Sequence, residues 1–277
     1  MLRILLPLLT YPYSTAMPGL QRCLDLAATL GSEILALVVE VDIPPIRNPP
    51  IPLGLDVVAM AAEAEALSRS RADDVSAHMR REAKRMNLRL DLERVRSRLE
   101  WVGETLALAA RTHDFSLFVL GESTEERSTA EALIFDSGRP VILIPDAGEA
   151  AAQVNIVAVA WDGGRAAARA LHDSMPILQL AERVVILTAR RDKEIDPRSV
   201  EGVLALLDQR GIKNSQSDVL VTSENSIGEA LQEAALRKDA GLLVMGGFGH
   251  SRIREFVLGG ATRSVLKNLR LPILMSH

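Results

Sequence analysis

The pattern of hydrophobic and polar positions along this 277-residue chain occurs twice. Residues 103–121 read GETLALAARTHDFSLFVLG, and residues 228–246 read GEALQEAALRKDAGLLVMG. Both segments begin with Gly-Glu, continue with alanine and leucine at helical spacing, and close with a short apolar run that ends in glycine. Each segment predicts a helix followed by a strand. Because internal repetition defines the architecture of a chain, we predict two related repeats.

Apolar runs of strand length occupy matching places in the two halves. Each half opens with such a run, continues with an Ala/Leu-periodic helix and a second run, and closes with a run that begins at proline: Arg3–Leu9, Ile34–Val41 and Pro140–Ile144, then Asn155–Trp161, Arg183–Thr188 and Pro272–Met275. Nearly continuous apolar strands that alternate with helices are typical of parallel sheets covered on both faces. The predicted fold class is therefore α/β, with two doubly wound, Rossmann-like parallel-sheet domains in tandem.

The link between the halves is short, since residues 145–153 read PDAGEAAAQ. We place the domain boundary near Ala150, which gives a first domain over residues 1–149 and a second over 150–277. A link of this length predicts close packing of the two domains. Their last strands are apolar edges that would otherwise invite association, so we expect them to pair as an intramolecular pseudo-dimer. A homodimer of the whole chain stays open.

Composition narrows the classes of partner. The formal net charge is −4 and the sequence pI is near 5.8, which offers a polyanion no general attraction and makes nucleic acid a poor partner. No segment reaches the roughly 18 to 20 apolar residues of a membrane span, and the N-terminus lacks a signal-peptide pattern. We therefore expect a cytoplasmic protein without membrane contact. The single cysteine, Cys23, is interpreted as a buried small hydrophobe.

The candidate chemistry lies in residues 245–262, MGGFGHSRIREFVLGGAT, directly after an apolar run. Glycines let backbone amides approach an anion, and a helix that begins near Ala261 adds unpaired N–H groups and its dipole. The predicted phosphate-binding residues are Gly246, Gly249, Gly259, Gly260, Ala261 and Thr262, with His250, Ser251, Arg252 and Arg254 as further donors. The alternative is that the glycines only shape a tight turn and a helix cap.

Position favours a ligand site, because ligands of open α/β sheets bind beyond the carboxyl ends of the strands. The first strand of the second repeat ends in Trp161-Asp162-Gly163-Gly164, so Asp162 and Gly163 emerge at that same edge. A carboxylate there can accept hydrogen bonds from a ribose or from an adenine amino group. The alternative role for Asp162 is the N-cap of the following helix.

These residues resemble a known family. The spacing Gly246-x-x-Gly249, nine residues, then Gly259 is similar to the ATP-binding motif of universal stress proteins (the UspA family), and Asp162 matches the aspartate that ends their first strand. The resemblance covers nearly the whole chain as a tandem form. It implies an adenine nucleotide alpha hydrolase-like fold and ATP as the ligand, with Mg²⁺ held through the phosphates. One departure is visible, since the family has Ser or Thr directly after the last motif glycine and this chain has Gly260.

The first repeat departs further. Nineteen positions separate Gly121 from Pro140, whereas 26 separate Gly246 from Pro272, so seven residues are missing where the second repeat carries its glycines. The sequence there is GESTEERSTAE, whose glutamates would repel phosphate, and the first strand ends in Thr10-Tyr11-Pro12 without an aspartate. We interpret the first repeat as a degenerate partner that has lost nucleotide binding.

The predicted function is ATP binding in the second repeat, as a stress-response or regulatory module whose protein partner the sequence does not name. No catalytic nucleophile or base stands out, and the five histidines show no metal-ligand spacing. Two alternatives stay open. One is slow ATP hydrolysis or nucleotidyl transfer with His250 as acid or base. The other is a nucleotide-free dimerisation scaffold.

Overall fold

The computed structural model of the chain describes residues 1–44, 56–147, 153–190, 195–221, 226–247 and 260–277. In the first repeat the elements are β1 (Arg3–Leu9), α1 (Met17–Thr29), β2 (Glu33–Val41), α2 (Val57–Met86), β3 (Arg89–Ser97), a 3₁₀ turn (Leu99–Trp101), α3 (Val102–Ala110), β4 (Phe115–Leu120), α4 (Thr124–Phe135) and β5 (Val141–Pro145). In the second repeat they are β6 (Ile156–Ala160), α5 (Arg165–Asp173), α6 (Met175–Leu178), β7 (Arg183–Arg190), α7 (Pro197–Gln209), β8 (Ser215–Val221), α8 (Ile227–Arg237), β9 (Leu242–Gly246), α9 (Gly260–Lys267) and β10 (Ile273–Ser276).

The strands form one ten-stranded sheet in the order β3-β2-β1-β4-β5-β10-β9-β6-β7-β8. Each repeat contributes five parallel strands, and the two sets join where β5 and β10 pair antiparallel, with Ile273 opposite Leu143. The second half of the order is the first half reversed, as expected for two repeats related by a pseudo-twofold axis. The doubly wound α/β fold and the pairing of the last strands are therefore confirmed.

The strands are buried on both faces, which explains their nearly continuous apolar sequences. In β1, Ile4, Leu6 and Leu8 point into one core cluster, while Leu5 and Leu9 point into the other. Helices α1, α2, α5 and α7 cover the first face, and α3, α4, α8 and α9 cover the second. Cys23 on α1 is fully buried among these side chains, as expected for a small hydrophobe.

The sequence analysis did not predict two of the strands. β3 and β8 are the outermost strands of the sheet and each pairs with a single neighbour among the described strands. The sequence of β3, RLDLERVRS, mixes polar with apolar residues, and β8, SQSDVLV, has four polar residues before its apolar end, because part of each strand faces solvent. A search for continuous apolar runs therefore finds the central strands and misses both edges.

Candidate functional site

The carboxyl edge of the second repeat brings two predicted segments together. β6 lies between β7 and β9 in the sheet, and the chain leaves its carboxyl end toward the β7 side. The next strand on the other side, β9, pairs with β6 in register from Val157 opposite Leu242 to Val159 opposite Val244. In doubly wound sheets, such a reversal of strand order usually places a ligand crevice above the two strand ends.

Asp162 lies on the turn between β6 and α5, on one side of this crevice. Its Oδ1 accepts a hydrogen bond from the backbone N–H of Gly164 at 2.7 Å, and the residue between them, Gly163, has a φ of +73°. A side chain at position 163 would be strained, so glycine is required for this turn. The N-cap residue of α5 is Gly164, which has no side-chain bond. Asp162 therefore shapes the turn before the helix, and it remains exposed to solvent.

Trp161 is a neighbour that the sequence analysis did not assign to the site. Its indole Nε1–H donates to Ser199 Oγ on α7 at 2.9 Å, and its backbone N–H donates to the Leu187 carbonyl at 2.9 Å. The ring is half-buried beside the exposed Asp162. The signal in the sequence that could have pointed to Trp161 is its place beside Asp162. The hydrogen bond to Ser199, 38 positions away, could not be read from the sequence.

Gly246, the last residue of β9, lies against the first turn of α5. A Cβ on Gly246 would come within 2.6 Å of the Ala166 carbonyl carbon and 2.7 Å of the Ala166 Cβ. The glycine thus lets the end of β9 pack closely on α5. Its contact with the helix backbone gives Gly246 a packing role, in addition to the phosphate contact that the sequence predicted.

The start of α9 lies on the other side of β9 from β6, since α9 leads into β10, the strand next to β9. Gly260 is its first residue and is exposed, with open space where a Cβ would stand. Ala261 is half-buried, and Thr262 is fully buried. Within the described helix, the first turn contains no acidic residue of its own.

Six of the predicted binding residues and donors lie outside the described residues: Gly249, His250, Ser251, Arg252, Arg254 and Gly259. The described site therefore consists of Asp162, Gly163, Gly246, Gly260, Ala261 and Thr262. In the described part of the chain, no group of three or more His, Cys, Asp or Glu side chains could hold a metal ion.

The corresponding edge of the first repeat is filled by its own side chains. Gly121 follows β4 as Gly246 ends β9, and α4 begins almost at once with Ser123 as its N-cap. The Glu126 carboxylate accepts hydrogen bonds from the N–H groups of Gly121 and Ser123 at 3.2 and 3.3 Å and from Ser123 Oγ at 3.0 Å. Amides that could face a phosphate are thus already paired with a carboxylate of the chain.

The end of β1 in the first repeat is also closed. Thr10, the first residue after β1, is buried, and its hydroxyl bonds to the Val39 carbonyl and to Ser68 Oγ on α2, both at 2.7 Å. Arg71 on α2 donates to the carbonyls of Thr10 and Pro12 at 3.1 and 2.8 Å. Helix α2 therefore covers the strand end where the second repeat exposes Asp162.

Comparison with known proteins agrees with this architecture. The model of the universal stress protein family matches residues 147–277. Universal stress protein Slr1230 from Synechocystis sp. is 24% identical over 172 residues, a stretch that covers 58% of this chain and 58% of that relative. The match thus spans less than two thirds of the relative. Residues 147–277 belong to the universal stress protein family, and the resemblance inferred from the sequence is confirmed.

Solved structures extend the likeness in fold to both repeats. A universal stress protein from Archaeoglobus fulgidus DSM 4304 aligns with a TM-score of 0.70 and 16% identity, over 99% of this chain and 97% of its own. A functionally unknown protein from Pseudomonas aeruginosa PAO1 aligns with a TM-score of 0.60 and 14% identity, over 99% of this chain and 92% of its own. In the residues that the structure describes, no helix is long and apolar enough to span a membrane.

Proposed function

We propose that the protein binds one molecule of ATP per chain, at the carboxyl edge of the second repeat, and acts as a nucleotide-binding module of the stress-response type. The observation that supports this most strongly is an exposed Asp162 just beyond the carboxyl end of β6, at the sheet edge where the neighbouring strand β9 also ends. The family motif supplies the expected ligand, since the glycines that match its ATP-binding pattern lie in the sequence from Gly246, the last residue of β9, to the residue before the start of α9.

The two ends of the ligand would meet different groups. The exposed Asp162 carboxylate, with Oδ1 fixed by Gly164, is suited to accept hydrogen bonds from a ribose hydroxyl or an adenine amino group. The N-terminus of α9, with Gly260 exposed and no acidic residue in the first turn, is suited to an anion such as a phosphate. Gly249 and Gly259, with His250 and Ser251, would complete the phosphate contacts, and any Mg²⁺ would bind through the phosphates.

The first repeat supports a single site per chain. Its loop amides bond to Glu126, and its β1 end is covered by Ser68 and Arg71 of α2. Binding a phosphate there would require displacing a carboxylate and then holding a second anion in its field. We therefore assign residues 1–149 to a degenerate repeat and residues 150–277 to the nucleotide-binding domain.

The test is isothermal titration of the purified protein with ATP, together with mass spectrometry of any ligand that it releases on denaturation. We expect one ATP per chain, and binding that requires Asp162 and the motif glycines. A protein that releases no nucleotide and shows no heat of binding with ATP would support the scaffold alternative. Release of ADP or a nucleotidylated product during incubation would support the enzyme alternative.

A further inference from the structure

Gly247 is the first residue of the connection from β9 to α9, and two hydrogen bonds fix its backbone. Its N–H donates to the Ser276 carbonyl on β10 at 2.7 Å, and its carbonyl accepts from His277 Nδ1 at 2.9 Å. The residue is buried. The direction in which the chain leaves β9 toward the predicted phosphate-binding residues is therefore fixed by contacts outside that connection.

The first repeat provides part of this support. A Cβ built on Gly247 would lie 2.7 Å from Ile134 Cγ2 and 3.8 Å from Phe135 Cε1, and both residues end α4 of the first repeat. The Phe135 ring also meets the His277 ring edge to face, with centroids 5.0 Å apart. Gly247 is thus enclosed between β10 and the last turn of α4, a contact that only a glycine allows.

A polar chain of contacts joins the same two parts. Arg169 on α5 donates from Nη2 to the Gly138 carbonyl, in the turn after α4, at 3.2 Å, and its Nε pairs with Asp173 Oδ2 at 2.8 Å. Asp173 Oδ2 in turn accepts from the Ser276 hydroxyl at 2.5 Å. Ser276 is the residue whose carbonyl holds the Gly247 N–H, so the turn after α4 is linked to Gly247 through side chains of the second repeat.

Helix α4 also approaches the far end of the connection. Its half-buried Glu131 interacts with Arg263, in the first turn of α9, and with Arg127 on its own helix. Burial raises the pKa of the Glu131 carboxyl, while the two arginines oppose that rise. One helix of the first repeat therefore contacts the second repeat at both ends of the connection between β9 and α9.

We propose that α4 of the first repeat is a positioning element for the nucleotide loop of the second, acting on the start of that loop through Ile134 and Phe135. This role rests on the proposed function. The positioning role would be the contribution of the first repeat to nucleotide binding. Its own loop amides are bonded to Glu126 and so are not free to bind a phosphate. ATP affinity in the second repeat then depends on a steric fit between Gly247 and Ile134 across the repeat boundary.

The experiment is a double-mutant cycle between these two residues, read out by calorimetric titration with ATP. Gly247→Ala places a methyl group against Ile134 and should weaken ATP binding about fivefold or more. Adding Ile134→Ala removes the obstructing Cγ2 and should restore most of the lost affinity, although it also removes core volume. Gly202→Ala on α7, where a Cβ would meet nothing within 4 Å, is the matched glycine control and should bind like the wild type.

Leu133→Ala controls for loss of core stability, since Leu133 is fully buried on the same helix but is not among the atoms nearest Gly247. If Gly247→Ala does not fold, the two single variants of α4 provide the test. Weaker ATP binding by Ile134→Ala than by Leu133→Ala would then support the positioning role. Equal affinities for these two variants, or additive effects in the cycle, would overturn the positioning role while leaving ATP binding in place. A wild-type protein that does not bind ATP would overturn the proposed function and this inference with it.

Discussion

The carboxylate of Glu126 accepts a hydrogen bond from the backbone N–H of Gly121 at 3.2 Å, at the same strand end of the first repeat where the second repeat carries its candidate site. Glu126 is also the N3 residue of a capping box with Ser123. The same carboxylate therefore caps the N-terminus of α4 and accepts hydrogen bonds from the loop amides. The two repeats thus share a fold and differ in the groups that their strand ends leave exposed.

Replacing Glu126 by alanine should lower stability without creating a second site. The variant loses the reciprocal capping bonds of α4, and loss of a capping interaction costs about 0.5 to 2 kcal/mol. Urea unfolding should show this loss, while calorimetry should still give one ATP per chain with wild-type affinity. A second ATP bound by Glu126→Ala would show that the first repeat is occluded by this carboxylate alone.

Replacing Asp162 by alanine should weaken binding of ATP, ADP and AMP to a similar extent, because in the proposed site the carboxylate bonds to the nucleoside that all three share. A hydrogen bond to a charged group contributes about 1.5 to 3 kcal/mol, which corresponds to roughly a tenfold to hundredfold loss of affinity. Competition titrations with the three nucleotides measure this directly.

Asp162→Asn is the matched control for the turn. Its amide oxygen can still accept the hydrogen bond from Gly164, so the turn is retained while the charge is lost. If Asp162→Ala lowers the melting temperature but leaves all three affinities unchanged, Asp162 serves only the turn before α5 and the adenine assignment must be withdrawn.

Replacing Gly259 or Gly249 by valine should abolish ATP binding and leave the fold intact, because the family motif assigns these glycines to the phosphates and a side chain would block that approach. The circular dichroism spectrum should match that of the wild type. Gly202→Val on the exposed face of α7 provides the comparison, since a side chain there meets open space. Near-native affinity in both motif variants would mean that the phosphates bind elsewhere.

Glu65 on α2 should make stability depend on acid pH. Its carboxylate accepts from the backbone N–H of Ile43 at 3.0 Å, and this bond, with Arg96 and Arg69 nearby, lowers the pKa of Glu65. A pKa that is lower in the folded state stabilises the fold above the unfolded value of about 4.3, and the gain disappears as the pH falls through the folded value.

The free energy of unfolding should therefore differ between wild type and Glu65→Gln at pH 7, with the wild type more stable. The difference should shrink as the pH falls below about 4.3. Glu63→Gln, at an exposed glutamate on the same helix, controls for the loss of one negative charge. A difference between wild type and Glu65→Gln that stays constant with pH would contradict the role given to the Ile43 bond.

The sequence was sufficient to predict the central strands and the joining of the repeats, because buried parallel strands have continuous apolar sequences and the eight inner strands keep that signal at matched positions. β3 and β8 were missed since edge strands share their faces with solvent.

The candidate site was harder to predict in detail. The pattern placed Asp162 and Gly246 at one edge, yet it could not show that Gly246 lies against the backbone of α5 or that Thr262 is fully buried. These properties depend on which elements meet in space. The contact of Ile134 with Gly247 joins residues 113 positions apart, and no local pattern reports it.

The most direct test of the central claim is native mass spectrometry of the full chain with increasing ATP, in parallel with Asp162→Ala. We predict that the wild-type chain takes up a single ATP at saturation and that the variant requires a much higher concentration to do so. Two ATP molecules per wild-type chain would contradict the assignment of the site to the second repeat alone. Absence of any bound nucleotide at saturating ATP would contradict the account as a whole.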